Sequence, residues 1–484
     1  MAKVEIQYVN QLINNQEIST EQNIEIRDPG RISDMVARVS IGTKEHVDMA
    51  VQAAYSAFES YRKSSVEERI ELMIEAADRI EKEKLNLATT LVREQGMLLE
   101  ITLEDVSNAI ATIRNHCLIV KDFFKARVYE DENSWVSLEK RPVGVVGAIV
   151  PWNAPMALTF SKVAPALLTG NTIVVKPSSN APVAVTQALK IAASIFPPGV
   201  INIVLGSGSE VGAAIPKHPL IRKVAFTGGT AAGQEVMKDA ASTIKNVSLE
   251  LGGNDPAIIL DDVNPAEMIP KLIKGAFRRS GQVCFAIKRV YVPKTIYHSF
   301  YDTLCQFVDE YKVGHGLDNR STFGPVNNES QYKFIKQLIE KTKQSQAIVQ
   351  ELGSKVEPGE WNNGYYLLPM VVKDVDPTHE LVTCEQFGPI VPVVPYDTVE
   401  QVIKMANQTE FGLSSSVWSN DFERALQISR EIEAGLTYIN GHGQSQLGKK
   451  YIPFGGVKQS GLGRERTEIG MEEYIEYHGI NFHK

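Results

Sequence analysis

The sequence predicts an α/β protein built around a doubly wound parallel sheet. Three observations carry this. Segments 143–150 (VGVVGAIV), 171–176 (NTIVVK), 201–205 (INIVL) and 223–226 (KVAF) are apolar almost throughout, as strands are when both faces of a sheet are covered. Helical patterns alternate with them, the order of βαβ units. Glycine turns follow two of the strands, at Gly206-Ser207-Gly208 and Gly228-Gly229. Because crossovers in such sheets are right-handed, the units wind helices onto both faces.

The first 60 residues read as a short β-rich start followed by a helix with Val47, Ala50, Val51, Ala54 and Phe58 on one face. A second helix opens on Ser65, with Glu68 three residues later as in a capping box, and lines up Ile70, Met73, Ile74, Ala77 and Ile80. The 143–150 and 171–176 strands come next. A helix then starts near Pro182, with Val185, Leu189 and Ala192 inward. The 201–205 strand leads through the glycines at 206, 208 and 212 into a short helix. The 223–226 strand and the Gly228-Gly229 turn lead into a helix reaching Ala240. A second α/β stretch begins at Pro256 (PAIIL) and runs to about 440. Residues 133–141 (NSWVSLEKR) read as a strand between two globular parts. The tail after Glu465 carries Tyr474, Tyr477 and Phe482, too many aromatics for a free end. Both of these pieces are expected to serve subunit contacts.

At 484 residues the chain exceeds the size at which one core stops growing, roughly 250–300 residues, so two or three domains are expected. Hydrophobic residues make up 43% and charged residues 22%, which excludes disorder as the main state. Lys plus Arg is 50 against 58 Asp plus Glu, a net charge of −8, which argues against a nucleic-acid partner but leaves room for a local basic pocket. Cys117, Cys284, Cys305 and Cys384 form no CxxC pair, so neither a disulfide framework nor a structural zinc site is expected. The first 20 residues lack a secretory pattern, and no run approaches the ~18 apolar residues of a membrane span. A cytoplasmic protein with no membrane partner is expected.

Three places could carry chemistry. Cys284 follows Gly281-Gln282-Val283 and lies just after Arg278-Arg279. It reads either as a small buried hydrophobe or as a nucleophile, with backbone N–H groups facing a reacting oxygen and the arginines favouring thiolate. Glu250, in Ser248-Leu249-Glu250-Leu251-Gly252-Gly253, is either turned outward against a Lys or a general base whose pKa is raised by apolar neighbours. Gly206 to Gly212 comes near a dinucleotide fingerprint, but its last interval is one residue too long. Phe226-Thr227-Gly228-Gly229-Thr230 follows a strand and opens a helix, where a phosphate finds free N–H groups. Lys176 ends a parallel strand at its carboxyl edge, where a lysine is solvated by default and holds a ribose or phosphate when a ligand is present.

Taken in order, Trp152-Asn153, Lys176-Pro177-Ser178, Phe226-Thr227-Gly228-Gly229-Thr230, Glu250-Leu251-Gly252-Gly253-Asn254, Gly281-Gln282-Val283-Cys284, Glu385-Gln386-Phe387-Gly388-Pro389 and Pro453-Phe454-Gly455-Gly456 span nearly the whole chain. The set resembles the NAD(P)-dependent aldehyde dehydrogenase superfamily. The resemblance implies an aldehyde dehydrogenase-like α/β fold: a Rossmann-type cofactor domain (1–122 and 143–252), an α/β catalytic domain (253–450) and a small β oligomerisation arm (123–142 and 465–484). It implies oxidation of a small-molecule aldehyde to a carboxylic acid. Cys284 thiolate attacks the carbonyl, Asn153 and the Cys284 backbone N–H hold the oxyanion, hydride passes to the nicotinamide, and Glu250 activates the water that hydrolyses the thioester. Lys176, with Ser178 and Ser179 beside it, is implied at the adenosine ribose, Gly229 at the pyrophosphate, and Glu385 at the nicotinamide ribose with Phe387 near the ring. Ile149, Trp152, Gly208, Phe226 and Leu251 are implied to shape the cofactor pocket. A homodimer or homotetramer is implied, and no metal is needed.

The chain departs from the family pattern in places. Many NAD-preferring members carry Glu where Ser179 stands, three residues after Lys176; a carboxylate there repels the 2′-phosphate of NADP, so acceptance of NADP as well as NAD is expected. Arg279 replaces a common Asn and reads as a surface charge at a helix end, as a replacement for a structural hydrogen bond, or, with Arg278, as a bias toward acidic aldehydes. The 441–452 segment (GHGQSQLGKKYI) is long and expected at the substrate entrance, with His442 either touching substrate or bonding within its loop. Glu465 is a candidate proton relay. Three rival readings remain: thiolysis by CoA, which the presence of Glu250 disfavours; a cysteine hydrolase, for which no His is placed near Cys284; and a non-catalytic protein that kept the fold.

Overall fold

The computed structural model describes residues 6–443 and 445–484. Residues 1–5 of the expected β-rich start and Gln444 of the 441–452 loop lie outside the described residues. Two sheets dominate. The first has eight strands in the spatial order Gly461–Leu462, Asn246–Glu250, Ile221–Thr227, Val145–Ile149, Thr172–Lys176, Ile201–Ile203, Gln11–Ile13, Gln16–Ile18. Its five central strands run parallel. The chain enters at Val145–Ile149, winds one way through the next two strands, then crosses back to add Ile221–Thr227 and Asn246–Glu250 on the other side. The switch point lies between Val145–Ile149 and Ile221–Thr227, and ligands of such sheets sit outside the carboxyl ends there.

The apolar strands are covered on both faces because successive side chains point opposite ways. Ile173 and Val175 join one core with the helices Val66–Lys82, Leu99–Phe123 and Pro155–Leu168; Val174 joins the other with the helix Lys44–Tyr61. Ser65 caps its helix by accepting the Glu68 N–H, as the sequence implied. The second sheet runs Ile348–Glu351, Met370–Lys373, Ile390–Tyr396, Ile287–Pro293, Asp255–Ile259, Ser414–Trp418, Leu436–Ile439, parallel except at the first pair. It too divides its strand residues between two cores.

A separate antiparallel sheet joins Arg127–Glu130, Ser134–Pro142 and the C-terminal strand Ile475–His483. Val128, Tyr129, Tyr477 and Phe482 are exposed on it. The start of the tail behaves differently from its end: Met471, Tyr474 and Ile475 are buried in the core of the first sheet. Tyr474 thus anchors the tail to its own chain, through carbonyl bonds from Asn171 and the Val143 N–H. The glycine segment 206–212 is not an open turn throughout. After Gly206 (φ 152°) the chain coils at Gly208–Gly212 and continues as the helix Ala213–Lys217. No helix among the described residues is long and apolar enough to cross a membrane.

Candidate active site

The loop that leads to Cys284 is held in an unfavourable backbone conformation. Arg279, Ser280 and Gly281 have φ of 53°, 56° and 75°. A non-glycine residue in that region costs on the order of 1–3 kcal/mol and persists only when its surroundings fix it. They do so here. The Ser280 hydroxyl donates to Gly324 O (2.8 Å), Gln282 donates to Arg279 O (3.0 Å) and accepts from the Asn327 N–H (3.0 Å). A Cβ on Gly281 would sit 2.2 Å from Gly388 O, so only glycine fits. Gly388 belongs to the 385–389 motif, and this contact locks the nucleophile loop onto it.

Arg279 is buried, not a surface charge. Its guanidinium donates to Asn153 O (2.8 Å) and lies 3.4 Å from Asp105. Arg278 points outward and pairs with Glu104. Neither arginine lowers the Cys284 thiol, contrary to the sequence expectation. Burial pushes that thiol up to about 12; the opposing charge is Lys288, and Glu250, Glu385 and Asp255 push it further up. The physical reason is that each arginine is already committed to an acid on the helix Leu99–Phe123.

Arg279 instead ties the Cys284 loop to Asn153. The Asn153 carbonyl also accepts from Gln95 (2.7 Å), while its side-chain amide donates to Gln282 O (3.2 Å). An amide carries two N–H donors, so the second remains available for an oxyanion beside Cys284. Trp152, the preceding residue, stacks edge-on against Phe387 (5.5 Å between centroids, 86°). The Phe285 ring next to the nucleophile meets Phe454 at 5.6 Å, and the Arg466 guanidinium lies 4.8 Å from the Phe454 centroid.

Glu250 ends its strand at the carboxyl edge, 3% exposed, and neither carboxyl oxygen finds a hydrogen-bond partner among the described residues. Burial, reinforced by the charge of Glu465, raises its pKa well above the ordinary range. It is not turned outward. Gly455 shields it: at φ 158° only glycine is unstrained, and a Cβ there would lie 2.8 Å from Glu250 Oε1. Glu465 is paired with buried Lys162 (2.6 Å) and accepts from Ser161 (2.9 Å); burial opposes its ionisation, but these contacts outweigh it and hold its pKa low. Lys162 also donates to Thr227 (2.6 Å). His442 sits 2.5 Å from Phe285 O, and burial depresses its pKa to about 4, so it is a neutral loop bonder behind the nucleophile.

A second cluster gathers at the switch point. Gly229 starts the helix Thr230–Ala241, and nothing lies within 4 Å of where its Cβ would be; Gly208 is equally open. Lys176 is not solvated: it is 4% exposed, donates to Pro177 O (3.1 Å), and burial lowers its pKa to about 8. Ser178 accepts the Asn180 N–H (3.3 Å), and Ser179 donates to Gly206 O (2.9 Å). Ile149, Phe226 and Leu251 pack into the core under this edge, Leu251 against Gly233. Glu385, just before the second-sheet strand Ile390–Tyr396, accepts the Gly253 N–H (3.0 Å) with Lys288 3.4 Å away.

Sequence reasoning missed Lys288, Lys162 and Asp105. Lys288 had a local signal, a cation inside the apolar run Ile287–Pro293. Asp105 had none, because its partner Arg279 is remote in sequence.

The arrangement sets a thiol, a buried carboxyl whose pKa burial raises and an amide donor beside open helix N-termini at a switch point. A sequence model of the aldehyde dehydrogenase family matches residues 16–480. The mitochondrial succinate-semialdehyde dehydrogenase of Oryza sativa subsp. japonica is 36% identical over 463 residues, covering 94% of this chain and 85% of that protein. An NADP dependent enzyme of E. coli superposes with TM-score 0.94 at 31% identity, covering 99% of this chain and 98% of that one. An NAD+ complex of aldehyde dehydrogenase from Bacillus cereus gives TM-score 0.93 at 33% identity, covering 99% and 97%. On these likenesses and this geometry, the chain belongs to the aldehyde dehydrogenase family and is an aldehyde dehydrogenase.

Proposed function

We propose that the protein oxidises an aldehyde to a carboxylic acid by covalent catalysis at Cys284, with NAD or NADP as hydride acceptor. The observation that carries this is Glu250: a fully buried carboxyl with no hydrogen-bond partner among the described residues, its pKa raised by burial and its charge felt by the Cys284 thiol. Cys284 Sγ adds to the aldehyde carbon and its proton leaves to solvent or Glu250. The thiohemiacetal oxyanion is held by Asn153 Nδ2 and the Cys284 N–H. When bound, the dinucleotide supplies the hydride acceptor that turns the thiohemiacetal into a thioester. Glu250, as carboxylate, takes a proton from water as the water adds to the thioester carbon; the thiolate leaves with the carbon–sulfur electron pair, and acid is released.

The residues fit a dinucleotide. Gly208 and Gly229 leave open cradles that a side chain would fill, and Lys176 is a buried ammonium bonded to a single carbonyl. Lys176, Ser178 and Ser179 would hold the adenosine ribose, Gly229 the pyrophosphate, and Glu385 the second ribose beside Phe387 and Trp152. The relatives named above support both cofactors, one an NADP dependent enzyme and one an NAD+ complex. Ser179 puts no carboxylate where a 2′-phosphate would sit. NADP is therefore expected to support turnover with kcat/KM within about a hundredfold of NAD. Ser179→Glu is expected to lower NADP use at least about tenfold more than NAD use, each 1.4 kcal/mol of repulsion being a factor of ten. Initial rates with both cofactors check this; equal losses reject the role of position 179.

Asn153→Ala is expected to lower kcat by roughly 10²–10³ with little change in KM, because one oxyanion donor is lost. A kcat within a factor of three of wild type would remove Asn153 from the mechanism.

The first sheet, the second sheet and the 127–142 and 475–483 arm support a cofactor domain, a catalytic domain and an oligomerisation element, with the strand Gly461–Leu462 returning to the first. Exposed Val128, Tyr129, Tyr477 and Phe482 support the arm as the contact of a homodimer or homotetramer.

A further inference from the structure

We propose that Lys288 is the positioning residue of the nucleophile: its buried ammonium clamps the main chain of Cys284, supplies the counter-charge for the thiolate, and tethers Glu385 to the same point. The proposal rests on Cys284 being the attacking thiol.

Lys288 stands second in the strand Ile287–Pro293 and is 3% exposed. Its Nζ donates to Cys284 O (2.5 Å) and Val283 O (3.0 Å), with Ala286 O at 3.5 Å. Glu385 Oε1 lies 3.4 Å away. Three of its contacts are neutral carbonyls of the loop that bears the nucleophile. They satisfy the donors of an ammonium without cancelling its charge. A buried charge so placed favours anions nearby.

Among the described residues, Glu250, Glu385 and Asp255 push the thiol up against Lys288, and the Tyr438 phenol feels its charge as well. Asp255 begins the adjacent parallel strand, takes a hydrogen bond from Ser414, and burial pushes its pKa to about 7, with the Lys288 charge opposing. Glu385 is raised by burial and lowered by Lys288 and by the Gly253 N–H. One cation thus serves two acidic groups, Asp255 and Glu385, and the thiol. A strand register places it: the side chain of Lys288 reaches back along the loop, while Arg289 on the opposite face bonds Asn254 O, Tyr291 and the 405–406 carbonyls.

The test is alkylation of the whole, cofactor-free protein with iodoacetamide across pH. Labelling is read at Cys284 by peptide mass, because exposed Cys384 also reacts and serves as internal reference. Lys288→Met is expected to slow Cys284 labelling about tenfold at pH 8 and to move the midpoint of the rate profile up by about one pH unit. Lys288→Arg, which keeps the charge, is expected to recover part of the rate, and Cys384 labelling is expected to stay constant. A Lys288→Met profile that superimposes on wild type overturns the proposal. Should Lys288→Met not fold, Glu385→Gln decides: removing an acid and freeing the ammonium is expected to speed Cys284 labelling, and a slower or unchanged rate overturns the proposal. Labelling needs neither aldehyde nor turnover. A protein with the expected shift that fails to oxidise aldehydes sinks the proposed function alone, whereas an active enzyme without the shift sinks the role of Lys288 alone.

Discussion

Cys284→Ser is expected to lower kcat/KM for aldehyde oxidation by roughly 10³-fold or more while leaving the fold intact. The volume change is small and the side chain is only partly covered, so stability should move by less than about 1 kcal/mol. The chemistry, in contrast, loses its nucleophile. A serine hydroxyl ionises far less readily than a thiol. His442, which lies beside the loop, spends its Nε2 on Phe285 O rather than on residue 284. An ester is also a poorer acyl donor to water than a thioester. Aldehyde-dependent appearance of reduced cofactor, followed by absorbance, measures the loss. A variant within tenfold of wild type would place the nucleophile elsewhere.

Glu250→Gln is expected to separate the two halves of the reaction. Acylation of Cys284 does not need the carboxylate, so the first turnover should survive as a burst of reduced cofactor of about one per site. Steady-state turnover should then fall by roughly 10²–10⁴, the usual contribution of a general base. The pH dependence has a definite sign. Burial, and next the Glu465 charge, hold the Glu250 carboxyl well above its ordinary value of 4.5. Ionisation to the carboxylate that activates water is displaced to higher pH than for an ordinary Glu, so wild-type deacylation should accelerate with pH until Glu250 ionises. Glu250→Gln should lose that rise.

Stability runs the other way. Between 4.5 and the raised folded value the native state holds a proton that the unfolded chain has released. This group's contribution is therefore fullest below the unfolded pKa and is lost as pH climbs toward the folded one. The neutral glutamine removes that loss, and the thermal midpoint of Glu250→Gln should fall less between pH 6 and pH 9 than that of wild type. Parallel Tm profiles would contradict the burial of an ionisable carboxyl.

What was readable in the chain is what depends on local pattern. The strands around Val145–Ile149 and Thr172–Lys176 announce themselves by unbroken apolar runs, and the parallel sheet follows. Cys284, Glu250 and Asn153 were singled out through ordered motifs, the first two beside glycines of their own. Remote partnerships stayed hidden. Arg279 looked like a surface charge because Asp105, on the helix Leu99–Phe123, gives no sign along the chain that it will be its counter-ion. Lys176 looked solvated because a lysine at a strand end usually is; helix and loop packing around it decides otherwise. The tail was read as a partner contact, yet its first turn carries Met471 and Tyr474 into the core of the first sheet. Gly455 belonged to a visible motif, but its reason, a close approach to Glu250, exists only in three dimensions.

The most direct test of covalent catalysis at Cys284 is the mass of the acid-quenched Glu250→Gln variant after mixing with aldehyde and NAD. The account predicts a population heavier by one acyl group, released by hydroxylamine, with the added mass on the peptide that contains Cys284. Reduced cofactor formed without any adduct, or with the adduct on a different residue, would contradict it.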